Sequence, residues 1–293
     1  MNVTTQIILP LVLAFIMFSM GLSLTINDFK RVARFPRAFF IGAFLQIISL
    51  PLLAFLIAKI WFDQGQADPA LAVGLMIIAA CPGGVTSNLM TQMGRGDRAL
   101  SISLTAIIGL LCVLTIPLVV NYSHYAFMGP GETPPLPIGK TIGGIFCLTT
   151  VPVLIGMLIK ARKEDFARQL EPTARKMASI FFIIIVIAAI AKERNLLINF
   201  FGTVGPMVLI FNLSIMGVAL VVSKLVALKP SQTIAITLEC GLQNGTLAIM
   251  IALTFLDNEI MMIPGGIYSL LMFLTGGAYL CWVWKKERPR ETS

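Results

Sequence analysis

The stretch CPGGVTSNLM, Cys81 to Met90, interrupts an apolar run that extends from about residue 70 to 93. Pro82 lacks a backbone N–H and clashes with the preceding turn, and Gly83 and Gly84 favour departure from helical angles. A proline alone would only kink a helix. The two glycines and the polar Thr86, Ser87 and Asn88 that follow predict that the helix unwinds here. Unwinding exposes backbone polar groups, which at membrane depth are tolerated only where protein encloses them or they line a cavity. The stretch therefore implies a membrane-embedded chain with an internal polar site.

The rest of the chain has the composition this requires. Its 293 residues are 57% apolar and 12% charged, with a mean hydropathy of +0.89, well outside the soluble range. A span needs roughly 20 apolar residues to cross about 30 Å of hydrocarbon. Nine such stretches are predicted, at about 5–26, 38–60, 70–93, 99–121, 139–160, 177–192, 203–224, 231–256 and 259–284. The fold class expected is an all-α polytopic membrane protein. The first run begins at Ile7 with no basic segment before it and no small-x-small processing site, so it reads as a retained span and not a signal peptide. The five cysteines are scattered through apolar segments and make no disulfide framework.

Most of the basic residues fall in alternate loops: Lys30, Arg31, Arg34 and Arg37; Arg95 and Arg98; the run from Lys160 to Lys176; Lys224 and Lys229; and the tail Lys285, Lys286, Arg288 and Arg290. The positive-inside rule makes these loops cytoplasmic, with the N-terminus outside and the C-terminus inside. This topology accounts for the net charge of +8 and leaves no basic patch for a nucleic acid. The single histidine, His124, lies in NYSHYAFMGPGETPPLP (121–137), whose Pro and Gly predict a loop between spans four and five. No second histidine exists to form a metal pair or relay.

The eighth span, SQTIAITLECGLQNGTLAIMIALTF (231–255), repeats the interruption with Gly241 and Gly245 beside Glu239, Gln243 and Asn244. A carboxylate near mid-membrane costs about 2.5–3.5 kcal/mol on insertion scales, and no basic residue lies deep in any span to neutralise it. Either Glu239 is neutral and satisfied by neighbouring helices, or a cation sits beside it. Oxygen partners are at hand: Ser87 and Asn88 at the break, Ser101 and Thr105 one turn apart on span four, and the lone amide of Gln46 in span two. Oxygens, unwound backbone and one carboxylate describe a site for a hard monovalent cation, since calcium or magnesium ordinarily recruits more than one acidic group.

The two interrupted spans run in opposite directions. A five-span offset pairs residues 1–121 with residues 177–293 as an inverted-topology repeat and leaves span five, within 122–176, unpaired. Two Gly/Pro-interrupted spans at matching places in such halves point to the substrate site of a secondary transporter. The half-helices after the breaks begin near Thr86 and Asn244, and their positive ends favour an anionic group.

With these residues in view, the chain resembles the bile acid:sodium symporter family over nearly its whole length. The resemblance rests on LAFIMFSMGLSLTINDF (13–29), CPGGVTSN (81–88), ALSISLT (99–105) and ECGLQNG (239–245), in that order and spacing. It implies a core domain containing two broken helices that cross near mid-membrane, and a panel domain that moves against it. It also implies a single transporter unit over 1–293 in a bacterial inner membrane, with sodium-driven uptake of an organic anion, bile-acid-like or a small carboxylate or sulfonate. Two sodium ions are implied. One site is similar to Ser87, Asn88, Ser101, Thr105 and Glu239. The other is similar to Gln46, Glu239 and Gln243 with backbone oxygens at Cys240 and Leu242. Val85, Thr86 and Asn244 correspond to positions near the substrate. Lipid surrounds such a carrier, and no nucleic acid or obligate protein partner is implied. A proton-coupled or exporting carrier with Glu239 as the titrating group remains an alternative. A channel lacks a repeated filter motif, and a membrane enzyme lacks HExxH or paired intramembrane aspartates.

Overall fold

The computed structural model describes residues 7–30, 36–63, 68–129, 138–192 and 194–287. Arg31 and Arg34, the Pro/Gly-rich connection 130–137 and the tail residues Arg288 and Arg290, which entered the orientation and loop expectations, lie outside the described residues.

Prolines, glycines and carboxylate caps divide the apolar runs into helices. The first, α1 (Leu9–Ser23), turns into the short α2 (Ile26–Lys30), where Asp28 accepts from the Thr25 N–H at 2.8 Å and hydroxyl at 2.7 Å. Next, α3 (Pro36–Phe44) passes through one π turn, Leu45–Ser49, into α4 (Leu50–Asp63). The start of α5 (Pro69–Ala80) has proline at its first turn and Asp68 accepting from the Ala70 N–H at 2.8 Å, both standard N-terminal devices. After residues 81–84 the chain resumes as α6 (Val85–Met93), bent 60° from α5. Asp97 caps α7 (Arg98–Met128). A second π turn, Phe146–Thr150, joins α8 (Ile138–Ile145) to α9 (Val151–Arg162). Two long helices follow, α10 (Glu164–Lys192) and α11 (Arg194–Leu225). The second interrupted run becomes α12 (Pro230–Gly241) and α13 (Gly245–Met250), which ends in a π turn, Ile251–Phe255, before α14 (Met262–Glu287). No strand occurs among the described residues.

Among the described residues, six helical stretches are long and apolar enough to cross a membrane: Pro36–Trp61, Arg98–Met128, Gly139–Arg162, Ile198–Leu225, Pro230–Phe255 and Glu259–Lys286. The bent pair α5–α6 makes a seventh if it counts as one span. The chain is an integral membrane protein. The first predicted span corresponds to the 15-residue α1, and the sixth to the second half of α10, whose first half carries Glu164, Asp165, Arg168, Glu171, Arg175 and Lys176.

One expectation is corrected. Residues 121–128 are not loop but the last two turns of α7, and His124 is buried within them. Phe55 of α4 packs on Tyr122 and Phe127 with ring centroids 5.6 and 5.3 Å away. That apolar contact carries the helix past Pro117 and up to Gly129, whose φ of +80° ends it.

The interior holds α5 and α12, both buried along almost their whole length. They pack among α4, α7, α11 and α14. A second group forms where α1 lies along α9 and α10. There the backbones nearly touch: a Cβ on Gly156 would sit 2.6 Å from the Phe18 carbonyl oxygen and 2.7 Å from the Leu22 nitrogen. Small residues commonly permit such close approach between membrane helices.

Candidate functional site

The two breaks meet. The Asn244 N–H donates to the Pro82 carbonyl at 2.8 Å, so each unwound segment satisfies a backbone group of the other. Both breaks are buried at this junction, where a free N–H or C=O would be costly.

Glu239 lies in the last turn of α12, fully buried. Its two oxygens take different partners from one face of α7: Ser101 donates to Oε2 at 2.9 Å, and Thr105 donates to Oε1. Asn88 of α6 joins them, its Oδ1 2.7 Å from Ser101 Oγ and 3.4 Å from Thr105 Oγ1. Thr105 also reaches the Ser101 carbonyl at 3.1 Å. Oxygen atoms of Glu239, Ser101 and Thr105 and the Asn88 carboxamide thus crowd one buried point. No basic side chain pairs with Glu239 among the described residues. An ionised carboxylate buried in this way calls for a counter-charge, which a protonated one does not need, and a small cation would find oxygen ligands here. No group of three or more His, Cys, Asp or Glu side chains suited to a transition metal occurs among the described residues.

Ser87 is fully buried beside this cluster but turned to its own backbone. Its hydroxyl donates to the Gly84 carbonyl at 2.7 Å and accepts from the Gly84 N–H at 3.2 Å, which closes the first turn of α6. Gly83 stands directly against Glu239 of α12. A Cβ there would collide with the Glu239 carboxylate and lie 3.2 Å from Ser87 Oγ.

The second expected group is less tightly joined. Gln243 donates through Nε2 to the Cys240 carbonyl at 2.9 Å and more weakly to the Glu239 carbonyl at 3.4 Å, and its Oε1 is buried without a partner. Gln46 lies on the π turn after α3, one turn beyond Gly42, whose own position faces Leu104 and Ile236. Both carboxamide atoms of Gln46 are buried and make no hydrogen bond of regular geometry, and the amide lies close enough to act on the Glu239 carboxylate. Leu242 is extended, at φ −115° and ψ 104°. The unpartnered Gln243 Oε1 and the Gln46 carboxamide near Glu239 are compatible with a second oxygen-lined cation position.

Asn244 caps α13, its Oδ1 accepting from the Leu247 N–H at 3.0 Å. It lines two small cavities, each also lined by Met17 of α1. Val85, Thr86, Thr246 and Phe182 line one, and Pro82, Thr105, Thr149 and Thr150 line the other. Sequence reasoning missed Thr246 and Thr150, whose hydroxyls are buried and unpartnered, because a threonine in an apolar helix ordinarily bonds its own backbone.

The sequence pattern of the sodium bile acid symporter family matches residues 10–200. The chain is similar to an uncharacterized sodium-dependent transporter of Bacillus subtilis, 30% identical over 279 residues, which covers 94% of this chain and 82% of that protein. It is similar to a probable chloroplastic sodium/metabolite cotransporter of Oryza sativa subsp. japonica, 25% identical over 275 residues, covering 94% and 63%. The ileal sodium/bile acid cotransporter of Oryctolagus cuniculus is 29% identical over 212 residues, covering 71% and 59%. The chain thus spans less than two thirds of the length of the rice and rabbit proteins.

Proposed function

The chain belongs to the sodium bile acid symporter family, and from that premise we propose that it imports an organic anion together with sodium by alternating access. It is a sodium-dependent transporter and not an enzyme. The observation that carries the finer reading is the buried oxygen cluster around Glu239, set where two broken helices join. One sodium ion takes Ser87, Asn88, Ser101, Thr105 and Glu239 as its surroundings. A second takes Gln46, Gln243, Glu239 and the carbonyl oxygens of Cys240 and Leu242.

The architecture proposed is nine spans in the bacterial inner membrane, N-terminus outside, with residues 1–121 and 177–293 as inverted repeats about an unpaired fifth span in 122–176. The group around α1, α9 and α10 acts as the panel and the helices around α5 and α12 as the core, a division supported by the backbone contact within the first group. The anion, a carboxylate or sulfonate, lies against Val85, Thr86 and Asn244, where the start of α6 supplies unpaired N–H groups. Sodium fixes the unwound segments that form one wall of that site, and by reciprocal linkage the anion strengthens sodium binding. With two sodium ions per monoanion, one positive charge enters per cycle, worth about 2.3 kcal/mol per 100 mV.

The test is uptake of cholate, taurocholate and small hydroxy-carboxylates into proteoliposomes under an inward sodium gradient. Uptake of at least one of these anions should require sodium, rise with an inside-negative potential, and disappear in Glu239→Gln. Uptake driven equally well by an acidic outside pH without sodium would replace this reading with proton coupling.

A further inference from the structure

A helix that ends inside a protein leaves its last carbonyls to be satisfied by other groups. At the end of α12 each of these carbonyls has an observed partner. The Leu238 oxygen accepts from the Leu242 N–H at 2.9 Å, and the Glu239 and Cys240 oxygens accept from Gln243 Nε2. The Gly241 oxygen is different, because both of its partners come from other helices. Asn212 of α11 donates to it through Nδ2 at 2.7 Å, and the Tyr268 hydroxyl of α14 donates to it at 2.9 Å. Asn212 Nδ2 also donates to Tyr268 Oη at 2.8 Å, which closes a triangle. Asn212 and Tyr268 are completely buried, and the Tyr268 ring packs on Phe211 at 5.9 Å. The orientation of Asn212 is set by this arrangement: turning the amide over would press its oxygen against the Gly241 carbonyl, and its Oδ1 is left buried without a partner instead.

The triangle sits one residue from a proposed sodium ligand. Because Leu242 is extended, its carbonyl points to the side opposite that of Gly241, as successive carbonyls do in extended backbone. With the Gly241 oxygen held toward α11 and α14 by both of its lone pairs, the Leu242 oxygen is turned away from those helices. Gly241 itself permits this approach, since a Cβ there would lie 2.6 Å from Met216 Cγ.

We infer that Asn212 and Tyr268 are positioning residues for sodium: they clamp the Gly241 carbonyl and thereby aim the Leu242 carbonyl into the site shared by Gln243 and Glu239. This role rests on the sodium reading above and adds α11 and α14 to the elements that shape the ion site. Neither side chain touches the ion. Tyr268→Phe removes one hydroxyl and keeps the ring packing, whereas Asn212→Leu removes both amide donors.

The test follows the melting midpoint of the purified full-length protein as NaCl replaces KCl at constant ionic strength. The unaltered protein should gain stability with a definable sodium half-saturation, and Glu239→Gln should lose that gain. Tyr268→Phe should raise the half-saturation about three- to tenfold, the equilibrium equivalent of one lost hydrogen bond, and Asn212→Leu should raise it at least as far. A purely structural role predicts something else: a lower midpoint in KCl with the sodium half-saturation of the unaltered protein. That result in Tyr268→Phe would overturn the inference, while loss of the response in Glu239→Gln alone would leave the sodium reading standing. No sodium response in the unaltered protein would overturn both. Should Asn212→Leu fail to fold, Tyr268→Phe decides the matter.

Discussion

At the scale of single residues, Glu239 organises the site because it is a buried carboxylate whose two oxygens are held by separate hydroxyls. Its isolation was legible in the sequence, since a lone acid inside an apolar run is costly wherever it points. The sharing of Ser101 between Asn88 and Glu239 was not, because it depends on an approach between residues 138 positions apart. If Ser101 and Thr105 serve one ion, Ser101→Ala and Thr105→Ala should each weaken sodium binding about tenfold, the size of a hydrogen bond to a charged group. The double variant should lose less than the product, with a coupling of about 0.5–3 kcal/mol. Calorimetric sodium titration of the four proteins measures this, and strict additivity would return both hydroxyls to ordinary backbone bonding. Asn212 carried the same sequence signal as Gln46, a lone amide in a predicted apolar span, but only the folded chain shows it bound to Gly241.

At the scale of elements, the break between α5 and α6 separates two glycines that look equivalent in CPGG. Gly84 is extended, at φ −147° and ψ −169°, a conformation open to any residue, and a Cβ there would meet only Thr86 Oγ1 at 3.9 Å. Gly83 has no such freedom, because a Cβ would drive into the Glu239 carboxyl group, with Cδ at 2.8 Å. Gly83→Ala should therefore abolish sodium-dependent uptake, whereas Gly84→Ala should keep most of it. Parallel uptake assays on the two purified variants decide between close approach and simple unwinding. An equal, severe loss in both would show that helix propensity, worth about 1 kcal/mol per residue, governs the break. The position of the break was legible from Pro82. Which glycine matters depends on the carboxylate that faces it.

At the scale of the whole molecule, α1 packs directly against α9 in the group that faces the two cavities. Gly21 and Gly156 let these backbones touch, and Met17, one turn before Gly21, lines both cavities beside Asn244. Gly156→Leu should force the helices apart and destabilise the protein by about 1–3 kcal/mol, the usual range for overpacking. The expected outcome is a lower melting midpoint in sodium and in potassium alike, with an unchanged difference between them, read by thermal denaturation of the detergent-solubilised protein. A selective loss of the sodium increment would mean that α1 and α9 shape the ion site directly.

The sequence by itself determined that the chain lies in a membrane, where most of its spans fall, that two of them are interrupted, and that one carboxylate stands alone. Each of these follows from transfer free energies and backbone preferences that belong to residues and their near neighbours. Residues 121–128 escaped that logic because their helix is held by Phe55 from another element. Tertiary structure alone decided that the Asn244 N–H meets the Pro82 carbonyl, that Gly83 gives way to Glu239, and that Asn212 and Tyr268 converge on Gly241. Those contacts are fixed by how closely helix backbones pack and by which buried polar group can reach another, quantities that no periodicity within a single helix contains.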